Sequence, residues 1–232
     1  MSALHTRFLV HWTGKEWGNE PLDDDLRSKY IERLMDDLQH GFYMQPGDER
    51  LWGANQAEIT PRIARTCFTE IKLSLAMKHA EKYGRLGIGV DRRYVLERFG
   101  GPVFYVQSGD TSNIIENFWK VWSFLREQKS DIADEFAVIC GYLKNMSDRN
   151  CAELVYYDEL EWRITHLRRL DGKYLTTQDA ARHIYRIKIK PDDVKVLVFP
   201  DDRTKSMALQ REDIRRLLNN PICCTLTDAD NF

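Results

Sequence analysis

The chain has 232 residues, 43% hydrophobic and 11% aromatic, enough to bury a sizeable core in one large domain or two small ones. Charged residues make up 30% but nearly cancel, leaving a formal net charge of −2, so no global basic field can hold nucleic acid by phosphate neutralisation alone. No apolar run approaches the ~18 to 20 residues of a membrane span, and MSALHTRFLVHWTG is too short and polar for a secretory core.

A cytoplasmic protein is therefore expected. The five cysteines (Cys67, Cys140, Cys151, Cys223, Cys224) include no C-x-x-C pair and read as reduced thiols, and no metal site is suggested.

Residues 6–11 predict a first strand, with His11 and Thr13 at its carboxyl end and Gly14 as the breaker. In PLDDDLRSKYIERLMDDLQHGFY, Leu26, Tyr30, Ile31, Leu34 and Leu38 recur at helical spacing. Asp23 to Asp25 suit that helix's start and Gly41 its end. MQPGDERLWGANQAEITP reads as a polar loop and RTCFTE as a short strand. A helix through Leu73, Leu75, Ala76, His79 and Ala80 then leads to a strand from Leu86 to Val90. Gly84, Gly87 and Gly89 follow this helix instead of opening it, which excludes a dinucleotide fingerprint.

A helix is expected around Tyr94 to Phe99, a turn at Gly100 to Pro102 and a β-rich run in PVFYVQ. Residues 114–144 are helical in pattern, with Phe118, Val121, Trp122, Leu125, Ile132, Phe136, Ile139 and Leu143 as core. Strands return in VYYDELEWRITHL, IYRIKIK and VKVLVFP, then a helix in MALQREDIRRLLNN and a short strand in ICCTLTDADNF. The pass predicts one α+β domain spanning 1–232, with the helical segment at about 114–144 inserted between two groups of strands.

The E-x-E of YYDELEWRI places Glu159 and Glu161 on one face if the segment is a strand. Like charges held close either lie in water or need partners. One reading is a solvated face neutralised by Arg163 and Arg168. The other, favoured by the nearby Tyr156, Tyr157 and Trp162, is a site.

In this order HWTGKE, CFTEIKLSLAMKHAEKYGRLGIGV, PVFYV and YYDELEWRI resemble the AbiGi-type abortive phage infection family over about residues 6 to 200, and a related bacterial domain of unknown function. The resemblance implies a part in bacterial defence against phage, alongside a cognate toxin or antitoxin protein. It leaves the biochemical activity open.

The motif order is also similar to ADP-ribosyltransferase-like folds, the DarT-type toxins and the H-Y-E class among them, which implies a split β-sheet core and NAD as substrate. On that resemblance His11 would hold the adenosine-side ribose, with Thr13 nearby. Phe68 or Tyr83 would stack on nicotinamide, and Ser74 would bond its amide or ribose. Glu161, or failing that Glu159, would bond the nicotinamide-ribose 2′-hydroxyl and stabilise the oxocarbenium-like centre, with the other carboxylate as general base. The sequence departs from the H-Y-E pattern in lacking the strand tyrosine; Phe68 stands near that place.

The expected function is a defence toxin transferring ADP-ribose from NAD to a nucleic acid or protein. The alternative is a non-catalytic antitoxin or sensor that binds a partner protein. Arg163, Arg168, Arg169, Lys173, Arg182, Arg186, Lys188 and Lys190 read either as a solvated face or as a surface for an RNA or DNA acceptor.

Overall fold

The computed structural model describes residues 8–229, apart from 19, 48, 54–57, 61, 71–72, 110–112, 147–158 and 168–169. In chain order the first half carries β1 (Phe8–Thr13), α1 (Asp24–His40), β2 (Phe42–Pro46), β3 (Leu51–Trp52), β4 (Glu58–Ile59) and β5 (Ala64–Thr69). There follow α2 (Ala76–Tyr83), β6 (Leu86–Asp91), α3 (Arg92–Glu97), β7 (Gly101–Pro102), β8 (Phe104–Val106), α4 (Asn113–Glu127), α5 (Ile132–Cys140) and β9 (Leu143–Asn145). The remainder is β10 (Glu161–Thr165), β11 (Leu175–Asp179), β12 (Ile184–Ile187), β13 (Val194–Phe199), α6 (Asp202–Gln210), α7 (Glu212–Arg216), β14 (Ile222–Thr225) and α8 (Leu226–Ala229). The chain is mixed α and β, and its described residues group into two compact units: one from Met1–Tyr43, Phe68–Arg98 and Arg186–Phe232, the other from Met44–Cys67 and Phe99–Tyr185.

The first unit is built on a mixed sheet. β1 runs antiparallel to β6 over six pairs, from Phe8 opposite Asp91 to Thr13 opposite Leu86, and β6 runs antiparallel to β13. β13 pairs in parallel with β14. β1 is packed on both faces. Val10 and Trp12 join a cluster with Ala76, Ala80, Val196, Val198, Cys224 and Leu226, while the His11 ring lies against Phe42 and Phe68.

Glycine is required in β6 by close packing. A Cβ at Gly87 would stand 3.0 Å from Val10 and from the Trp12 ring, and one at Gly89 would stand 2.9 Å from the Val196 Cβ. This is the structural reason for the glycine spacing. Helix α1 follows its sequence pattern. Asp23 caps it by accepting from the Leu26 N–H at 2.8 Å, Leu26, Tyr30, Ile31, Leu34, Met35 and Leu38 are buried, and Gly41 ends it at φ +92°.

The second unit holds residues 44–46 of β2 beside residues 64–67 of β5, Gln45 opposite Arg65, and β10 antiparallel to β7, Trp162 opposite Pro102. β8 pairs in parallel with β9. The polar loop expected after β2 contains the β3–β4 pair instead, because Leu51 and Ile59 are buried in a cluster with Val106, Ile115, Cys140 and Leu143. The helical pattern of 114–144 resolves into α4 and α5, which pack through Phe118, Trp122 and Phe136, before β9 takes its last residues.

Candidate functional site

Of the strand expected through VYYDELEWRITHL, the described part is β10, Glu161–Thr165. Residues 155–158, with Tyr156 and Tyr157, lie outside the described residues. Leu160 adopts φ +43°, a conformation disfavoured for a branched side chain, so Glu159 and Glu161 do not share a strand face by pleating. They converge by another route. Both carboxylates reach the ammonium of Lys144 on β9: Glu159 Oε2 accepts at 2.6 Å, and Glu161 Oε2 accepts from the same nitrogen. The backbone reversal at Leu160 is what brings two non-adjacent side chains onto one cation.

Arg163, two residues along β10, is 2% exposed and spends every arm of its guanidinium. Its Nε donates to Glu161 Oε1 at 2.5 Å, its Nη1 to the carbonyls of Gly141 and Leu143 at 2.7 and 3.0 Å, and its Nη2 to Glu49 Oε2 at 2.6 Å. Arg65 on β5 also reaches Glu49, at 3.3 Å. The Glu161 backbone N–H donates to the Tyr105 hydroxyl at 2.8 Å, and the Asn145 N–H donates to Glu49 Oε1 at 3.2 Å. Three cations (Lys144, Arg163, Arg65) thus face three anions (Glu49, Glu159, Glu161), a balanced set in which Glu159 and Glu161 are each 4% exposed.

That balance sets the protonation states. Burial pushes the Glu161 carboxyl up, but Arg163 and Lys144 outweigh it and hold the pKa at about 2. Burial pulls the Lys144 ammonium down, and Glu161 and Glu159 more than reverse this, so it sits above the ordinary lysine range. Burial, reinforced by the charge of Glu161, pushes the Cys67 thiol up to about 12. An ionised carboxylate with both oxygens engaged by fixed cations is a very weak base. Chemically the arrangement is a buried electrostatic clasp joining β5, β9 and β10.

In the first unit, Thr13 is buried and its Oγ1 accepts from Arg33 Nη1 of α1 at 3.0 Å. His11 lies inside β1, not at its end, because the strand continues to Thr13. It is half-buried, opposite Ile88, with its ring 4.8 Å from Phe42 and 5.8 Å from Phe68. Phe68 is 1% exposed, and its ring also meets Phe42 and Tyr94 edge-on. Ser74 lies half-buried in the 3-10 turn Leu73–Leu75. Tyr83 ends α2, stacked 6.1 Å from His79 and packed on the Val10 and Trp12 cluster. The structure thus gives His11 and Phe68 one aromatic cluster and Tyr83 another.

The basic residues do not form one phosphate surface. Arg163 is buried, Arg186 is held by Asp36 at 2.6 Å and by the Gly41 carbonyl at 3.1 Å, and Arg168 and Arg169 lie outside the described residues. Lys173, Arg182, Lys188 and Lys190 are exposed.

Sequence reasoning anticipated Arg163 as a neutraliser but missed Lys144, Arg65 and Glu49. The available signal was LKN, a lysine in the last turn of an apolar pattern, where a buried cation demands an acid. Among the described residues no group of three or more His, Cys, Asp or Glu is placed to hold a metal ion, and no helix is long and apolar enough to cross a membrane.

A cavity of about 900 Å³ opens in the second unit, lined by residues that include Arg62, Asp131, Asp134, Glu135, His166 and Tyr185. Neither Glu159 nor Glu161 lines it.

No curated protein and no solved structure matches the chain significantly. A family model described as that of the abortive phage resistance protein AbiGi, antitoxin, matches residues 54–200. The match begins after His11 and Thr13, and contains Glu49's partners Arg65 and Arg163 together with Lys144, Glu159 and Glu161. Since it takes in more than half of the chain, the chain belongs to the AbiGi family of abortive phage resistance proteins.

Proposed function

We propose that this chain is the antitoxin of an abortive infection pair, a non-catalytic protein that holds a cognate toxin protein. One observation carries the reading. Inside the stretch matched by an antitoxin family, the acidic pair that could have done chemistry is buried and charge-balanced, both carboxylates held by Lys144 and Glu161 also by Arg163. Carboxylates used this way fix the scaffold, leaving the surface to recognise a partner. Expression of the chain alone should leave growth unaffected. Co-expression should rescue cells from the product of the neighbouring toxin gene, and the two proteins should co-elute in size-exclusion chromatography. Toxicity on expression alone would overturn the reading.

A second reading is transfer of ADP-ribose from NAD to a nucleic acid or protein, on an ADP-ribosyltransferase-like core. It draws on the convergence of Glu159 and Glu161 on one cation, together with the motif order from His11 and Thr13 through Phe68, Ser74 and Tyr83. It requires the clasp to open, since Glu161 is ionised but enclosed. Labelled NAD mixed with RNA, DNA and lysate decides between the two. Label transfer that a Glu159→Ala, Glu161→Ala variant abolishes would establish the enzyme; no transfer is the expected result.

A further inference from the structure

The cavity of the second unit carries a charge and a shape that the buried clasp does not use. Asp131, Asp134 and Glu135, at the start of α5, line it, and all three are exposed. His166, just past β10, also lines it and stacks face to face on Tyr185 of β12, with ring centroids 4.1 Å apart and planes 14° off parallel. Asp171 steadies that imidazole, its Oδ1 lying 3.1 Å from Nε2. These three carboxylates and the Arg62 guanidinium are among the described residues that line a volume of about 900 Å³, near the upper end for ligand sites and larger than one side chain.

Helix geometry extends the surface beyond the cavity. At ~100° per residue, Asp134, Glu135 and Val138 fall on the cavity flank of α5, with Ile132 and Ile139 on the adjoining edge. These two isoleucines are 64% and 49% exposed. An acidic pocket with an aromatic wall and an apolar ledge has a definite complement. A guanidinium can lie flat on the ring pair while its N–H groups reach carboxylates, and the aliphatic residues beside it can cover the ledge. The three carboxylates favour a cationic occupant over a phosphate.

We infer that this cavity seats an arginine-bearing, amphipathic segment of the partner protein, with Ile132 and Ile139 as its apolar footing. The inference rests on the antitoxin reading for the identity of the partner, but the site can be tested without it. The first probe is a capped decapeptide alternating arginine and leucine, titrated into the full-length chain by calorimetry, beside the same peptide with citrulline at every arginine. The arginine peptide should bind and the citrulline peptide should bind at least about tenfold more weakly. An Asp131→Asn, Asp134→Asn, Glu135→Gln variant should lose at least about the same factor, and raised salt should weaken binding of the unaltered chain. Ile139→Ser, which leaves the carboxylates in place, should weaken both peptides.

Equal affinity for the two peptides, or an unchanged affinity in the triple variant, would overturn the site. The second arm uses toxin neutralisation in cells. A triple variant that neutralises as well as the unaltered chain would overturn the site and leave the antitoxin reading standing. An unaltered chain that fails to neutralise would overturn the antitoxin reading, and the peptide titration would then decide the site alone.

Discussion

Glu161→Gln keeps the shape and most of the hydrogen bonding of the side chain while removing its charge. In the native clasp the carboxylate answers both Arg163 and Lys144, and its loss leaves the named set of six groups one positive charge in excess. The pKa of Glu161 drops from an ordinary 4.5 to about 2, and at 1.36 kcal/mol per unit that is about 3 kcal/mol of stability. The figure agrees with the ~3–5 kcal/mol typical of breaking a buried ion pair from one side.

The sign follows from the direction of the shift. A depressed carboxyl pKa stabilises the fold fully above the unfolded value and loses that contribution as pH falls towards the folded one. Urea denaturation at pH 7, 5, 4 and 3 should therefore show a deficit of about 3 kcal/mol in the variant at pH 7 and 5, shrinking to about 1 kcal/mol at pH 3. Thermal melting at pH 7 should fall by about 6–12 °C for a chain of this size. A deficit under about 0.5 kcal/mol at pH 7, the level of an ordinary surface change, would refute the clasp. So would one that stays constant down to pH 3.

Asp37 of α1 predicts the opposite slope. Burial, only partly offset by Arg33 and Arg186, raises its pKa to about 7, and its Oδ2 has no hydrogen-bond partner. A raised carboxyl pKa costs stability as pH climbs from about 4 to about 7, so Asp37→Asn should match the parent at pH 4 and exceed it at pH 8, by up to roughly 4 kcal/mol in urea titrations. Gly84→Ala should lose roughly 2–3 kcal/mol, since φ is +109° there and the new Cβ would meet the Thr13 carbonyl oxygen at 2.2 Å; a loss below that of an ordinary helix-end substitution would contradict the close approach. Phe68→Ala should cost about 3–5 kcal/mol by emptying the ring cluster with Phe42 and Tyr94. A milder effect in chemical denaturation would mean the site collapses to fill the space.

Periodicity alone determined a good part of this protein. Leu26, Tyr30, Ile31, Leu34 and Leu38 defined α1 with its Asp23 cap and Gly41 stop, and VKVLVFP and LGIGV declared buried strands. These are local facts, set by spacing of 3.6 or 2 residues and by which side chain can satisfy a helix end. The family was also legible in the blocks from CFTE to YGRLGIGV and in EWR, both inside the matched stretch. The β3–β4 pair escaped notice because two residues per strand leave too little alternation to register.

The meaning of Glu159 and Glu161 was decided elsewhere. Two acids two apart look alike in sequence whether they meet a substrate, water or a buried cation. Lys144 is 15 and 17 residues away along the chain, Glu49 more than a hundred from Arg163. Coulomb energy depends on distance in space and on exclusion of water, and neither is written in residue order. Only the tertiary fold, with Leu160 turned to φ +43°, brought both carboxylates onto the Lys144 ammonium.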